Sequence, residues 1–397
     1  MIERRLGPSY DRPDRKRTTD GDLASDLGFR PPTSNELTRT LLRHAKSGFR
    51  RRRPFSRATI LQSSLISADP FIAYSGITQA PLGLASELPW RWRNRNAWFL
   101  LSPTWSLEGD FFAKALRGYA VMHRLFNPGH RLVFLCNTEQ EVAQMQEVGE
   151  AALFHIKTSV VSEHVFRPRD DVPVEFDAIY NAQLRPWKRH ELSLGVERCA
   201  FLYYRDETGP NTARDEAALI AGHTARAPGH VFINRLDEQG FAVRLAPDEV
   251  NAELNRASVG LCLSEVEGPM FASIEYLLAG LPVVSTPSRG GRQHFLDNDY
   301  CLTVDPDPRS VAEAVAALRA RQIPREYVRQ QTLERMRPQR QAFIDLLNRL
   351  LAEAGSNRTI VTPWPFRRPV IMQWRWRRRT VRRALAGEVD AFHVPED

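Results

Sequence analysis

Cysteine is scarce in this chain, with four residues among 397. They lie far apart in apolar or mixed stretches, at Cys136, Cys199, Cys262 and Cys301. None of the intervals between them has the short spacing that metal-binding cysteine pairs use. We therefore expect four buried, reduced thiols, which is typical of a cytosolic protein.

Long hydrophobic runs are absent as well. No stretch of about 18 consecutive apolar residues occurs, so the sequence predicts no membrane-spanning helix. The first residues, MIERRLGPSYDRPDRKR, are charged and lack the apolar core of a secretory signal. Both absences favour a cytoplasmic protein, and the chain is long enough to form two domains.

Positive charge is concentrated at the two ends of the chain. The formal net charge is +8, and basic clusters run from Arg43 to Arg57 and from Arg367 to Arg383. Tryptophans accompany the second cluster, at Trp364, Trp374 and Trp376. Arginine with tryptophan suits an anionic membrane surface, so peripheral contact with the inner membrane is one expectation. Two alternatives stay open: the tryptophans pack a C-terminal helix against the first domain, or, less favoured because no motif supports it, the charge binds nucleic acid.

Strand-like and helix-like segments alternate from about residue 60 onward. For example, Asn137-Thr138 follows an apolar run and is a helix N-cap signal. This order predicts an α/β protein with parallel sheets, and we see no internal repeat of fixed period. The predicted parts are a basic arm (1–58), a reduced first α/β domain (59–168), a second α/β domain (169–345) and a C-terminal helix with a basic tail (346–397).

The segment from Leu261 to Val284 is the most informative part of the sequence. It reads LCLSEVEGPMFASIEYLLAGLPVV, which predicts a buried strand, a turn, a short helix and a second buried strand. Glu267 lies on the turn and Glu275 on the helix, about 12 Å apart along the helix axis. One acid can therefore accept hydrogen bonds from a sugar while the other accepts them from a ribose across a diphosphate.

The turn between the two acids is suited to phosphate. Gly268 lets the backbone approach a ligand closely, and Pro269 is suited to the first turn of the helix. The backbone amides of Met270, Phe271 and Ala272 would then point towards the ligand at the helix N-terminus.

This segment resembles the Glu-x7-Glu signature of retaining GT-B glycosyltransferases of the family-4 type. The matching residues are Glu267-Gly268, Glu275, the AGLPVV stretch at 279–284 and Gly290-Gly291. Pro269 and Met270 stand where that family has an aromatic residue and a second glycine.

A second stretch, IYNAQLRPWKRHEL, is similar to the Gly-Arg-Leu-x-Pro-x-Lys-Gly loop of the same family. Lys188 occupies the position of the lysine that the resemblance places at the donor diphosphate. Gln183 stands in place of an arginine and Ala182 in place of a glycine. Arg185 or Arg189 is a candidate to supply the missing charge.

The resemblance is strongest over residues 130–345 and implies two Rossmann-like domains that face a cleft, with the acceptor on the first and the nucleotide-sugar on the second. It implies transfer of a sugar to an envelope or polysaccharide-type acceptor, glycan or lipid-linked, with retention of configuration and without a metal or cofactor. In this interpretation Lys188 and Glu267 are the catalytic residues. The donor-binding residues are Glu275, Gln183, Arg185, Gly268, Met270, Phe271 and Ala272.

The acceptor side is weakly marked. Its candidates are Glu108, Asp110 and His123, each of which also has an ordinary structural or solvent-facing interpretation. We recognise no metal-binding Asp-x-Asp motif flanked by apolar strands. An alternative function is a non-catalytic nucleotide-sugar-binding relative with a degenerate first domain. A sugar-nucleotide epimerase of the same fold would need a set of acids and histidines that the sequence does not reveal.

Overall fold

The computed structural model describes residues 63–77, 82–87, 92–204 and 212–360. The chain forms two compact units, divided at Val160/Val161 and again at Arg337/Pro338. The first unit holds the described residues up to Val160 and from Pro338 onward, and the second unit holds Val161–Arg337. The two basic clusters and their tryptophans lie outside the described residues.

The first unit contains a five-stranded sheet whose strands follow one another in chain order, β1-β2-β3-β4-β5. β1 is antiparallel to β2, and the other neighbours are parallel. Strands β2 and β3 are buried along their whole length, so they form the centre of this core. The elements are β1 (Ser63–Ser67), β2 (Phe71–Ile77), β3 (Ala97–Pro103), α1 (Asp110–Phe126), β4 (His130–Cys136), α2 (Glu139–Glu147) and β5 (Ala152–Phe154).

The second unit contains a six-stranded, fully parallel sheet in the order β11-β10-β9-β6-β7-β8. The chain begins in the middle at β6, runs outward to β8, and then crosses to β9 on the other side of β6. The elements are β6 (Phe176–Asn181), β7 (Cys199–Leu202), α3 (Ala213–Arg226), β8 (Val231–Phe232), α4 (Pro247–Asn255), β9 (Ala257–Cys262), α5 (Phe271–Leu278), β10 (Val283–Ser285), β11 (Cys301–Thr303) and α6 (Pro308–Ala320). The last helix, α7 (Arg325–Glu353), begins in this unit, and its residues from Pro338 onward belong to the first unit. The predicted α/β class with two Rossmann-like units is confirmed.

Side-chain caps begin several of these helices. The Thr138 side chain accepts a hydrogen bond from the backbone N–H of Glu141 at 3.1 Å, so the predicted N-cap is confirmed. Thr212 and Asp215 form a reciprocal capping box at the start of α3. Asp307 accepts from two backbone amides at the start of α6. Local sequence therefore fixes where these helices begin.

Two expectations from composition can be compared with the structure. All four cysteines are buried and free, as predicted. Within the described ranges, no helix is both long and apolar enough to cross a membrane.

The segment after β6 differs from the prediction. The alternation of segments in the sequence predicts a helix near residues 189–197, but two short 3₁₀ turns occur instead, at Pro186–Lys188 and His190–Ser193. Arg189, between them, has a left-handed backbone with φ of 51°. A regular helix cannot continue through that conformation, so the loop stays tightly folded.

The sequence suggested no repeat, yet the connections that lead into β4 and β8 are built alike. Each is a Pro-Gly-His sequence that follows a helix carrying a second histidine. The His123 and His130 rings are joined Nε2 to Nδ1 at 2.9 Å, and the His223 and His230 rings are joined in the same way at 2.9 Å. The second histidine of each pair donates from Nε2 to a backbone carbonyl. Both pairs are buried at the amino edge of a sheet.

Candidate functional site

The carboxyl ends of β6 and β9 lie side by side where the strand order of the second unit reverses. β6 is followed by the loop that carries Lys188, and β9 by the turn that carries Glu267. In open α/β sheets, ligands bind at this reversal because the loops on either side diverge and leave a crevice. The topology therefore brings the two sequence motifs to one place.

Lys188 and Glu267 form a direct ion pair between Nζ and Oε1. Their side chains are only 8% and 16% exposed. The backbone of Lys188 is fixed by the buried Tyr180, whose hydroxyl donates to the Lys188 carbonyl at 2.6 Å. The two residues predicted to be catalytic are thus in contact, with no ligand needed to join them.

The second oxygen of Glu267 is held from the other side. Ser264 donates from Oγ to Oε2 at 2.5 Å. Burial by itself would raise the pKa of Glu267, but the Lys188 ammonium, the Ser264 hydroxyl and the Arg292 guanidinium together hold that pKa below its usual range. Glu267 is therefore a carboxylate at neutral pH.

Arg292 is a site residue that the sequence did not indicate. It follows Gly290-Gly291 and is only 1% exposed. Its Nη1 donates to Ser264 Oγ at 2.8 Å, and its Nη2 donates to the carbonyls of Ser264 at 3.0 Å and Thr286 at 2.7 Å. The guanidinium thereby joins the ends of β9 and β10 beneath Glu267. The one signal in the sequence was the position of Arg292 directly after the glycine pair, and that position does not predict a buried side chain.

Glu275, on α5, faces Asn181 at the end of β6. The Asn181 side chain donates to Glu275 Oε2 at 3.4 Å, and the Asn181 backbone amide donates to the hydroxyl of Tyr276 at 2.6 Å. Burial raises the pKa of Glu275 to about 7, although Arg244 and Asn181 oppose the shift. Two carboxyl groups with seven residues between them therefore have opposite protonation tendencies, because among the described residues only Glu267 has a cation in direct contact.

The phosphate turn differs from the prediction in two respects. The helix begins at Phe271, so Pro269 precedes the first turn instead of lying in it. The amide of Met270, expected to face a ligand, donates to the Gly268 carbonyl at 2.7 Å. Phe271 and Ala272 open the helix as expected. Met270 has a φ of 24°, a conformation that favours glycine, at the position where the resemblance expects one.

The other predicted donor-side residues have structural partners. The carbonyl of Gln183 accepts from the amide of Arg185 at 2.8 Å in a tight turn, and Arg185 is buried. Arg189 donates from Nε to the Leu263 carbonyl at 2.7 Å and from Nη2 to Thr286 Oγ1 at 2.8 Å. Arg189 therefore ties two strand ends together.

The acceptor-side candidates do not form one cluster. His123 is paired with His130, which begins β4, so it lies at the amino edge of the sheet. That edge is opposite the one where α/β sheets bind ligands, and the acceptor-side role of His123 stays a prediction. Glu108 lies on the loop that Glu141 fixes by accepting from the Leu107 amide at 2.7 Å. Asp110 begins α1, and its side chain lies outside the described part of the structure.

Among the residues that the structure describes, two Asp-x-Asp triplets occur, and both have structural roles. Asp297 accepts from the Asp299 amide at 2.9 Å in a turn and pairs with Arg335. In the second triplet, Asp307 caps α6. In the part of the chain that the structure describes, no group of three or more His, Cys, Asp or Glu side chains is arranged to hold a metal ion.

Comparison with known proteins gives structural likenesses only. No family model matches the sequence, and no curated protein matches it significantly. The chain is similar to sucrose-phosphate synthase from Thermosynechococcus elongatus (15% identity, 66% of this chain and 71% of that one, TM-score 0.49). It is also similar to HepE from Anabaena, solved with UDP (11%, 65% and 71%, 0.44), and to a glycosyltransferase from Rickettsia africae (14%, 66% and 72%, 0.44). At such identities the likeness concerns the fold alone.

Proposed function

We propose that this chain is a glycosyltransferase that moves a sugar from a nucleotide-sugar donor to an envelope or polysaccharide-type acceptor, with retention of configuration and without a metal. The observation that carries the proposal is the Lys188–Glu267 pair at the strand reversal, with Glu275 on the helix that follows. A nucleotide-sugar needs a cation for its diphosphate and hydrogen-bond acceptors for its sugar and ribose. These three side chains supply those groups.

The chemistry follows from the charges of the site. The Lys188 ammonium leaves Glu267 and binds the donor diphosphate. It then stabilises the negative charge that develops on the diphosphate as the sugar leaves. Glu267, released at Oε1, accepts a hydrogen bond from a donor-sugar hydroxyl. Glu275 accepts from the ribose hydroxyls. The leaving phosphate takes the proton of the acceptor hydroxyl, so the transfer needs no protein base.

The basic ends of the chain bear on the acceptor and on the place of action. A glycan or lipid-linked acceptor agrees with the two basic ends, the second of which also carries tryptophans, because such segments bind anionic membrane surfaces. Co-sedimentation of the full chain with anionic vesicles at low salt tests this contact. Recovery of the chain only in the supernatant would remove the membrane part and leave the transferase part intact.

The experiment that tests the function is a thermal-shift panel of UDP-, GDP-, ADP- and dTDP-sugars on wild type and Glu275→Ala. We expect one donor to raise the Tm of the wild type and not that of the variant, since a ligand that binds only the folded state stabilises it by an amount that grows with the logarithm of the ligand concentration divided by Kd. Turnover with that donor, and the anomeric configuration of the product by NMR, then test transfer and retention. A donor that shifts both proteins equally would contradict the site assignment.

A second candidate is a nucleotide-sugar-binding protein without catalysis. Two observations favour it: Gln183 replaces a cation, and the remaining lysine is neutralised by Glu267. This candidate predicts a thermal shift with a donor but neither donor hydrolysis nor transfer. Any slow donor hydrolysis by the wild type that Lys188→Met abolishes would exclude it.

A further inference from the structure

The two oxygens of Glu267 have partners of different kinds. Oε1 is held by Lys188, which the donor diphosphate would draw away, and Oε2 is held by Ser264, a neutral hydroxyl. When the lysine changes partner, Ser264 is the one described side chain that still donates a hydrogen bond to the carboxylate. The orientation of Glu267 towards a donor sugar therefore depends on what holds Ser264.

Arg292 fixes both the position and the hydrogen of that hydroxyl. A guanidinium has donors and no acceptor, so its bond to Ser264 Oγ at 2.8 Å occupies a lone pair of the oxygen. The hydroxyl hydrogen therefore points at Glu267, with 2.5 Å between Ser264 Oγ and Glu267 Oε2. The same guanidinium donates to the carbonyls of Ser264 and Thr286, so it is anchored independently of Glu267.

Arg292 cannot itself be the missing donor cation. At 1% exposure, with Nη2 occupied by two carbonyls, it is beyond the reach of a phosphate unless the loop opens. It can, however, balance the charge of Glu267. A buried carboxylate that loses its only cation is strongly destabilised, and a second positive group beneath it offsets that cost.

We propose that Arg292 is a positioning residue that acts through Ser264 to keep Glu267 ionised and aimed at the donor sugar when Lys188 turns to the diphosphate. What Glu267 binds rests on the function proposed above. The way in which Glu267 is held does not rest on that function, so this inference and the proposed function can fail separately.

The direct test is a pH titration of the Glu267 carboxyl by carbon-13 NMR in the full chain, assigned with Glu267→Gln. The decisive variant is Ser264→Ala. Its matched control is Ser285→Ala, which removes an equally buried hydroxyl on β10 that donates to the Thr286 carbonyl. We expect Ser264→Ala to move the titration midpoint up by about one pH unit and the control to leave it unchanged, because a hydrogen bond to the charged form favours that form.

Arg292→Lys keeps the charge but loses the fixed fork of donors, so we expect a midpoint between those of the wild type and Ser264→Ala. If this variant fails to fold, Ser264→Ala alone decides. An unchanged midpoint in Ser264→Ala, or an equal shift in Ser285→Ala, would overturn the relay whether or not any donor binds.

The kinetic readout separates this inference from the proposed function. With a donor that the wild type uses, Ser264→Ala should lower kcat about tenfold, change the donor KM little, and move the acidic limb of the pH profile upward. A wild type that neither binds nor uses any donor, together with a shifted midpoint in Ser264→Ala, would refute the function and leave the relay standing. If Ser264→Ala shifts the Glu267 titration midpoint as expected but leaves kcat and the pH profile unchanged, the positioning role is overturned.

Discussion

The two units are alike at the amino edges of their sheets and different at the carboxyl edges. Each has a helix-to-strand connection with a buried histidine pair, joined at 2.9 Å in both cases. Only the second unit reverses its strand order, between β6 and β9; the described strands of the first unit run in sequence from β1 to β5. Similar connections therefore build both units, while the reversal alone provides a crevice for chemistry.

The contrast extends to the charged groups at the carboxyl edges. In the second unit, Lys188 and Glu267 pair side chain to side chain above a buried arginine. In the first unit, the corresponding buried carboxylate, Glu141, accepts two backbone amides, those of Leu107 and Asn137, at 2.7 Å each. Burial raises the pKa of Glu141, although these amides oppose the shift. A carboxylate satisfied by backbone fixes a loop, whereas one paired with a lysine can change partners.

The largest effect should come from breaking the lysine–glutamate pair. Lys188→Met removes the cation that stabilises the leaving diphosphate, and we expect donor turnover to fall by about 10²–10³-fold. The measurement is nucleotide release from the donor that the thermal-shift panel selects. Glu147→Gln, at an exposed position on α2 in the first unit, is the control and should change donor turnover less than threefold. Comparable losses in both variants would mean that the chemistry is not confined to the second unit.

Two glycine substitutions test whether the Pro-Gly-His connections that lead into β4 and β8 are packed equally tightly. A methyl group added at Gly229 would lie 2.3 Å from the Glu197 carbonyl oxygen, and one added at Gly129 would lie 2.7 Å from that of Arg95. We expect both alanine variants to lose about 1–3 kcal/mol of unfolding free energy, with Gly229→Ala the more destabilised.

Denaturant unfolding followed by circular dichroism measures these losses. The matched control is Gly222→Ala in α3, where an added methyl group would meet nothing within 4 Å. That substitution should stabilise the chain by about 0.5–1 kcal/mol, since alanine favours a helix over glycine. Gly129→Ala and Gly229→Ala variants as stable as the wild type would show that these connections can relax.

The third effect concerns the pH dependence of donor binding. Because the pKa of Glu275 is about 7 in the free protein, about half of the molecules carry a neutral carboxyl at pH 7. Ribose hydroxyls prefer the ionised form as acceptor, so donor affinity should rise about tenfold from pH 6 to pH 8. Glu275→Gln should bind weakly and show a flat profile in calorimetric titrations. A pH-dependent profile that survives in Glu275→Gln would assign the effect to another group.

Local signals in the sequence predicted much of the fold. Alternating apolar runs predicted the strands, and Thr138 was found from its capping pattern. The acids of the 261–284 segment lie where the sequence placed them, Glu267 on the turn and Glu275 on the helix. These features depend on residues close together in the chain, which is why pattern and propensity could find them.

Features that depend on distant segments were missed. Arg292 became a site residue only because parallel pairing sets the end of β10 beside the end of β9. The same limit applies to His123, since a helical pattern does not tell which edge of the sheet a residue faces. The tight turn at Arg189 was missed because nothing in a non-glycine residue announces a left-handed backbone.

The smallest effect should come from acid acting on the histidine pairs. Burial lowers the pKa of His130 and His230, and it lowers that of His223 to about 4. The unfolded chain, with ordinary histidines near 6.5, then binds more protons than the folded one below that pH. The stabilisation is therefore complete above about pH 7 and is lost as the pH falls towards 4.

His223→Gln tests this origin, because glutamine can still donate to the His230 ring but does not titrate. We expect the Tm difference between pH 7.5 and 5.5 to be roughly 3 °C smaller in this variant than in the wild type. His164→Gln, at an exposed position in the second unit, should leave the wild-type difference unchanged. His123→Gln extends the test to the first unit: if its effect equals that of His223→Gln, the two amino edges are equivalent in energy as well as in geometry. If neither variant changes the difference, the pairs share geometry without contributing to acid sensitivity, and the likeness of the two units is one of shape alone.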